Sequence, residues 1–323
     1  MAKPRVTEKE FIELVETLGV RETARRIGTD RRNVQQRRNR IEQNSRVVVE
    51  SAKATGKNAR MAACTAVPGA HRYMLECWDG VVIVGSDAHY WPGIVTTAHR
   101  AFVRAAKELN PKAIILNGDV FDGAGISRHP SIGWESKPSV IQEIEACKER
   151  LGEIEAVAGN AKLIWTLGNH DARFESRLAN VAPEYARVHG VHLKDHFPTW
   201  QTAWTCRING QVEVKHRYKG GVHAPHNNAV QSGLSMVTGH LHSLKVTPWT
   251  DYTGTRYGVD CGTLAGGSEA PQFIDYMEAG PASWRSGFAV LTFRKGRLLW
   301  PEVVHVVDEA AGEVEFRGKV YAV

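Results

Sequence analysis

The chain has no Cys-x-x-Cys pair, and its five cysteines (Cys64, Cys77, Cys147, Cys206 and Cys261) are scattered and odd in number. That excludes a disulfide framework and disfavours a thiolate zinc site. No apolar run approaches the ~20 residues needed to cross a bilayer. The opening Met1-Ala2-Lys3-Pro4-Arg5 leads into charged residues rather than an apolar signal core. The expectation is a soluble, cytoplasmic protein with no membrane partner. Internal repeats are missing as well. What is present is ordinary globular material: 323 residues, 42% hydrophobic and 24% charged, enough for one large domain and a small appendage.

The net charge of +6 is localised. Between Arg21 and Arg46 lie nine basic residues against three acidic ones, which leaves 32 basic and 32 acidic residues in the rest of the chain. Such a segment attracts a polyanion. Ahead of it, Thr7-Glu8-Lys9-Glu10 reads as a capping box, and Phe11, Leu14, Val15 and Leu18 recur at helical spacing. Gly19 ends that helix, a second runs from about Val20 to Ile27, and Gly28-Thr29-Asp30 turns the chain into a third.

Three short helices around a tight turn resemble the DNA-binding helix-turn-helix family over roughly the first 45 residues. On that resemblance Asp30 caps the recognition helix. Arg31, Arg32, Asn33, Gln35, Gln36 and Arg37 then read base edges or grip phosphates. A solvated face, or a docking helix for a protein partner, is the blander account of the same arginines. Because Ile27, Val34 and Ile41 offer little to pack, the unit is marginal alone, and docking or dimerisation is an open option. Residues 47–78 read as linker with some helix and hairpin.

From Asp79 the pattern becomes strands alternating with helices, the mark of a layered α/β domain over 79–323. Apolar runs stop abruptly at polar groups. Val81-Val82-Ile83-Val84 leads to Asp87 and His89, and Ile114-Ile115-Leu116 leads to Asn117-Gly118-Asp119. Leu163 to Leu167 leads to Gly168-Asn169-His170-Asp171. Downstream, Val212 to Lys215 leads to His216, and Leu234 to Gly239 leads to His240-Leu241-His242. Five strands thus end in carboxylate, amide or imidazole groups. Asp87 and His89, two apart on an extended chain, project to one side and reach one cation. A carboxylate such as Asp119 has lone pairs on both oxygens and can bridge two cations.

The order Asp-x-His, Gly-Asp-x-x-Asp, Gly-Asn-His-Asp, His, Gly-His-x-His resembles the calcineurin-like metallophosphoesterase family, in a layout similar to its phage-encoded members. The motifs span about Asp79 to Leu244, and the tail around Gly258 to Phe293 is compatible with that fold's second sheet. The resemblance implies a four-layer αββα sandwich of two mixed sheets, beside the small all-α N-terminal domain of residues 1–46. It implies two divalent metal ions: Asp87, His89, Asp119 and His242 on one, and Asp119, Asn169, His216 and His240 on the other. His170 would touch the phosphate or protonate the leaving oxygen, with Asp122 and Asp171 as outer carboxylates orienting an imidazole. Mixed N/O ligation fits Mn²⁺, Fe or Zn²⁺, with Mn²⁺ favoured.

Two such cations, about 3.5 to 4 Å apart, would neutralise a phosphodiester and acidify the attacking water. His216 carries an alternative, since His223 and His226 lie close by, and Arg217 follows where the family has a small residue. Protein Ser/Thr phosphatases of this superfamily usually have Arg-Gly after Gly-Asp-x-x-Asp, and Glu after Gly-Asn-His. This chain has Gly123-Ala124 and Asp171, which favours phosphodiesters. The loop Arg128 to Pro138 is either ordinary surface or a substrate wall with Trp134 stacking on a base. Arg173 and Arg177 are either solvated or phosphate contacts, with Arg173 leaning to contact. The expectation is therefore a two-metal phosphodiesterase or nuclease on nucleic acid, DNA favoured. The alternatives are a phosphomonoesterase or small-nucleotide phosphodiesterase, and a DNA-binding scaffold with an inactive domain.

Overall fold

The computed structural model describes residues 6–45, 71–129, 136–267 and 283–323. Trp134, Arg46 and the 47–70 stretch of the expected linker lie outside the described residues. The chain divides into two compact units, Met1–Val67 and Pro68–Val323.

In the first unit, α1 (Glu8–Ile27) opens on the expected box: Thr7 Oγ1 accepts from Glu10 N–H, and the Glu10 carboxylate accepts from Thr7 N–H. Gly19, at φ 73° and ψ 165°, interrupts it where the sequence suggested two helices. A left-handed Gly28 closes it, and α2 (Arg31–Ser45) follows. Asp30 Oδ1 accepts from Asn33 N–H at 2.7 Å, as an N-cap should. Phe11, Val15, Ala24, Val34 and Ile41 form the core. Arg37 stays within it: its guanidinium lies 4.4 Å over the Phe11 ring and donates to the Val6 carbonyl at 2.8 Å.

In the second unit, β2 (Gly80–Gly85), β3 (Ala113–Asn117) and β4 (Lys162–Thr166) pair in parallel at the centre of a nine-stranded sheet. Period-two alternation splits their side chains between two cores. Ile83, Ile114, Leu116 and Trp165 pack with Phe102 of α3 (Thr97–Leu109) and Leu151 of α4 (Val140–Val157). Val82, Val84, Ile115 and Ile164 face the other way and meet Val212, Val214, Val237 and Val259 of a six-stranded sheet. That sheet contains β7 (Val212–Val214), β8 (Ser235–Thr238) and β10 (Gly254–Cys261), with α6 (Ala224–Ser232) packed on it. The result is an αββα sandwich.

Two differences from the sequence reading stand out. Arg72–Leu75, inside the 47–78 stretch read as linker, is β1, an edge strand paired in parallel with Thr205–Ile208. The Gly258–Phe293 tail is shared between sheets: β10 belongs to the six-stranded one, while β11 (Gly287–Arg294) lies antiparallel to β2 in the nine-stranded one. No helix among the described residues is long and apolar enough to cross a membrane.

Candidate metal centre

The carboxyl ends of β2, β3, β4 and β8 converge, and the turns there are conformationally costly. Asp87, His89, Asp119, His240 and His242 all have positive φ, five of the nine such non-glycine residues described. A non-glycine side chain in this region costs of order 1–3 kcal/mol and persists only where surroundings over-determine it. Here they do. Asp87 N–H donates to Gly118 O at 2.9 Å and His89 N–H to Asp119 O at 2.9 Å. His170 N–H donates to Asp119 Oδ1 at 2.7 Å, and His240 N–H to the Asp87 carboxylate at 2.9 Å. Gly168 and Gly239 allow this closeness, since a Cβ on the first would strike the Asp119 carboxylate and on the second Ser86 and Asp87.

The side chains form three clusters whose candidate donor atoms lie within 4.8 Å of one another: Asp87–His89–His242, His89–Asp119–His170 and Asp119–His216–His240. Asp119 is in two of them. His242 Nε2 is 3.1 Å from Asp87 Oδ1, and His216 Nε2 is 3.0 Å from Asp119 Oδ2. His216 is buried among these donors, its Nδ1 bonded to Asn117 O at 2.8 Å. His223 precedes α6 and His226 stacks against Trp249. Asn169 stands beside this group with a buried Oδ1 that has no hydrogen-bond partner among the described residues. An oxygen left so is the kind a cation satisfies. The full N/O donor set fits divalent metal ions.

Burial alone would raise the Asp119 carboxyl, but the hydrogen bond from His216 and the nearby imidazoles hold it well below the ordinary range. Asp87 is likewise held low against burial, chiefly by His242 and His216. Burial would lower His216, yet Asp87 and Asp119 push it up to about 9. These opposed shifts are those of an anionic pair sharing cationic partners.

One Asp122 oxygen accepts from His89 Nδ1 at 2.7 Å and His170 Nδ1 at 2.8 Å, which points both Nε2 atoms away from it. Asp171 does not orient an imidazole. Its carboxylate accepts N–H groups from Asp119, Val120, Phe121 and Gly168 and from the Trp165 indole, so it fixes the Asp119–Phe121 turn instead. Its short side chain sits on a turn that folds back onto Gly168 N–H, out of reach of the rings. Arg173 donates to Asp122 O at 3.0 Å and lies 3.0 Å from His170 Nε2, braced against the histidine.

Sequence reasoning missed two supporting residues. Glu143 of α4 is buried and accepts from Gly123 and Ala124 N–H at 2.7 and 2.9 Å, anchoring the turn after Asp122. Trp284 stacks on His242 with centroids 4.2 Å apart. Nothing local in the sequence marks either, because both act across long separations.

A buried N/O cluster at strand ends, shared through one carboxylate, defines a metal-dependent phosphoesterase site. The match to known proteins agrees: the Calcineurin-like phosphoesterase description fits residues 81–246, just over half of the chain, and the chain belongs to that family. It is similar to the Gene 54 proteins of Mycobacterium phage L5 (25% identity over 246 residues) and phage D29 (26% over 239). Each alignment covers 69% of this chain and 92% of the relative. A solved Vps29 complexed with zinc, from Entamoeba histolytica, aligns at 14% identity and TM-score 0.41, covering 75% of this chain and 98% of that one.

Proposed function

We propose that this phosphoesterase is a two-metal phosphodiesterase or nuclease acting on nucleic acid, with DNA engaged by the N-terminal helices. The observation that carries the reading is Asp119's membership of two donor clusters at once. Asp87, His89, Asp119 and His242 would hold one ion, and Asp119, Asn169, His216 and His240 the other, with Mn²⁺ favoured over Fe or Zn²⁺. When bound, the ions would supply Lewis-acid relief of phosphoryl charge and a more acidic water.

The chain's own groups do the rest. Asp122 fixes His170 through Nδ1, so only Nε2 is presented. Arg173 guards that atom in the structure. An incoming phosphate would draw the guanidinium onto itself by charge-assisted bonding, freeing His170 Nε2 to take up a proton from water and pass it to the departing oxygen. Arg31, Arg32 and Gln36 are exposed on α2, as groove contacts need, whereas Arg37 is half-buried on Phe11 and supports the helix pair. With Mn²⁺, bis-p-nitrophenyl phosphate should be cleaved faster than p-nitrophenyl phosphate. The reverse preference would make the protein a phosphomonoesterase.

A further inference from the structure

Extending from Asn169, Arg173 and His216, the second unit has a groove of about 1260 Å³. It is larger than the ~300–1,000 Å³ of ordinary small-molecule pockets. Among the described residues, no aspartate or glutamate lines it. Its walls include Arg128, Arg177, Lys215 and Arg217, in a part of the chain where acidic and basic residues otherwise balance. Arg128, Arg177 and Arg217 are exposed and form no ion pair among the described residues. Among these cations stand two aromatic rings. Trp204 is 42% exposed, and its indole stacks on no ring among the described residues; Tyr218 is 43% exposed.

We propose that this groove binds single-stranded nucleic acid, with unpaired bases stacked on Trp204 and Tyr218 and the phosphates carried by the arginines and Lys215 toward Asn169 and His216. The inference rests on the phosphodiesterase reading and names its substrate. Three features support it together. The volume exceeds what a mononucleotide needs. Uncompensated guanidinium groups match a run of phosphates rather than a single one. The exposed Trp204 indole offers a stacking face that a paired base cannot use, and Tyr218, with the Lys215 and Lys219 ammonium groups each 5.5 Å from its ring centroid, adds a cation-flanked one; stacking of this kind tolerates any base. Trp204 lies just before Thr205–Ile208, and Tyr218 lies four residues after β7, so two paired strands supply the two platforms.

The test is photo-cross-linking of the full chain to a phosphorothioate-linked single strand containing 5-iodouracil, with the adducts located by peptide mass spectrometry. Trp204 and Tyr218 should carry them, and the same strand in a duplex should give at least about tenfold less adduct there. Trp204→Ala should reduce groove adducts about tenfold, in line with the loss of a base stack. Trp204→Phe should restore them, and Trp300→Ala, an indole 58% exposed outside the groove, should leave them unchanged. Adducts confined to residues 6–45, equal yield from the duplex, or suppression by an equimolar mononucleotide would each overturn the proposal. Bis-p-nitrophenyl phosphate hydrolysis by the same preparation separates the two readings. Turnover without groove adducts sinks the groove alone, and groove adducts without turnover sink the hydrolase reading alone.

Discussion

In the N-terminal helices the core is Phe11, Val15, Ala24, Val34 and Ile41, and polar clamps fasten its edges: the Thr7–Glu10 box, the Asp30 cap and Arg37 on Phe11. The sandwich has two extensive apolar cores, and buried polar groups such as Asp87, His89, Asp119, Asp171 and His242 lie beyond the ends of its strands. A cap contributes about 1 kcal/mol and an exposed cation–π contact about 0.5–1 kcal/mol. The small unit therefore depends on contacts that the large one can do without. The large unit has the surplus needed to hold costly left-handed turns and buried charge, which is why the donor cluster is built there.

The largest expected effect is at the shared ligand. Asp119→Ala should remove both ions in metal analysis and lower diester turnover by roughly a thousandfold or more, several kcal/mol of lost transition-state stabilisation. Undiminished turnover would end the bridging role. The helices should be indifferent to that change.

Phe11→Ala turns the comparison round. Removing a fully buried ring costs about 3–5 kcal/mol, more than so small a core is expected to withstand. Far-UV circular dichroism should report loss of helix, and duplex DNA binding should weaken while bis-p-nitrophenyl phosphate hydrolysis persists. Unchanged DNA affinity would remove the helices from nucleic-acid binding.

The smallest effect concerns pH. Burial and the Asp122 charge push the Glu143 carboxyl up to about 7, despite its two N–H partners. The folded value exceeds the ordinary 4.5, so this contribution to stability is fully present below about pH 4.5 and lost as pH rises through about 7. It amounts to about 3 kcal/mol. Urea midpoints of the sandwich should fall across that window, and Glu143→Gln should flatten the fall. An identical slope in the variant would assign the effect elsewhere.

The centre was legible in the sequence because β2, β3, β4 and β8 are buried apolar runs that stop at Gly and a ligand, a signal written in adjacent residues. β1 was not, since its four residues Arg72-Tyr73-Met74-Leu75 carry no alternation and find their partner at Thr205–Ile208. Asp171 misled because its motif gives its neighbours but not the turn that aims its carboxylate at backbone. Arg37 entered through the helix-turn-helix resemblance, which does not show that its long stem reaches back over Phe11. Trp204 and Tyr218 are unremarkable until Thr205–Ile208 and β7 pair, and Trp134, outside the described residues, remains where the sequence left it, as an expected stacking residue.

The left-handed ligand turns bear on how such a centre changes over evolutionary time. The Asp87 carboxylate receives the His240 amide, the Asp119 carboxylate receives the His170 amide, and Asp87 and His89 donate to the Gly118–Asp119 turn. The two aspartates each hold another candidate donor's backbone as well as offering oxygen to a metal. Losing one slackens the others, so the losses from two ligand substitutions should overlap rather than add. A single substitution at either aspartate should therefore disturb a neighbouring turn as well as the donor it removes.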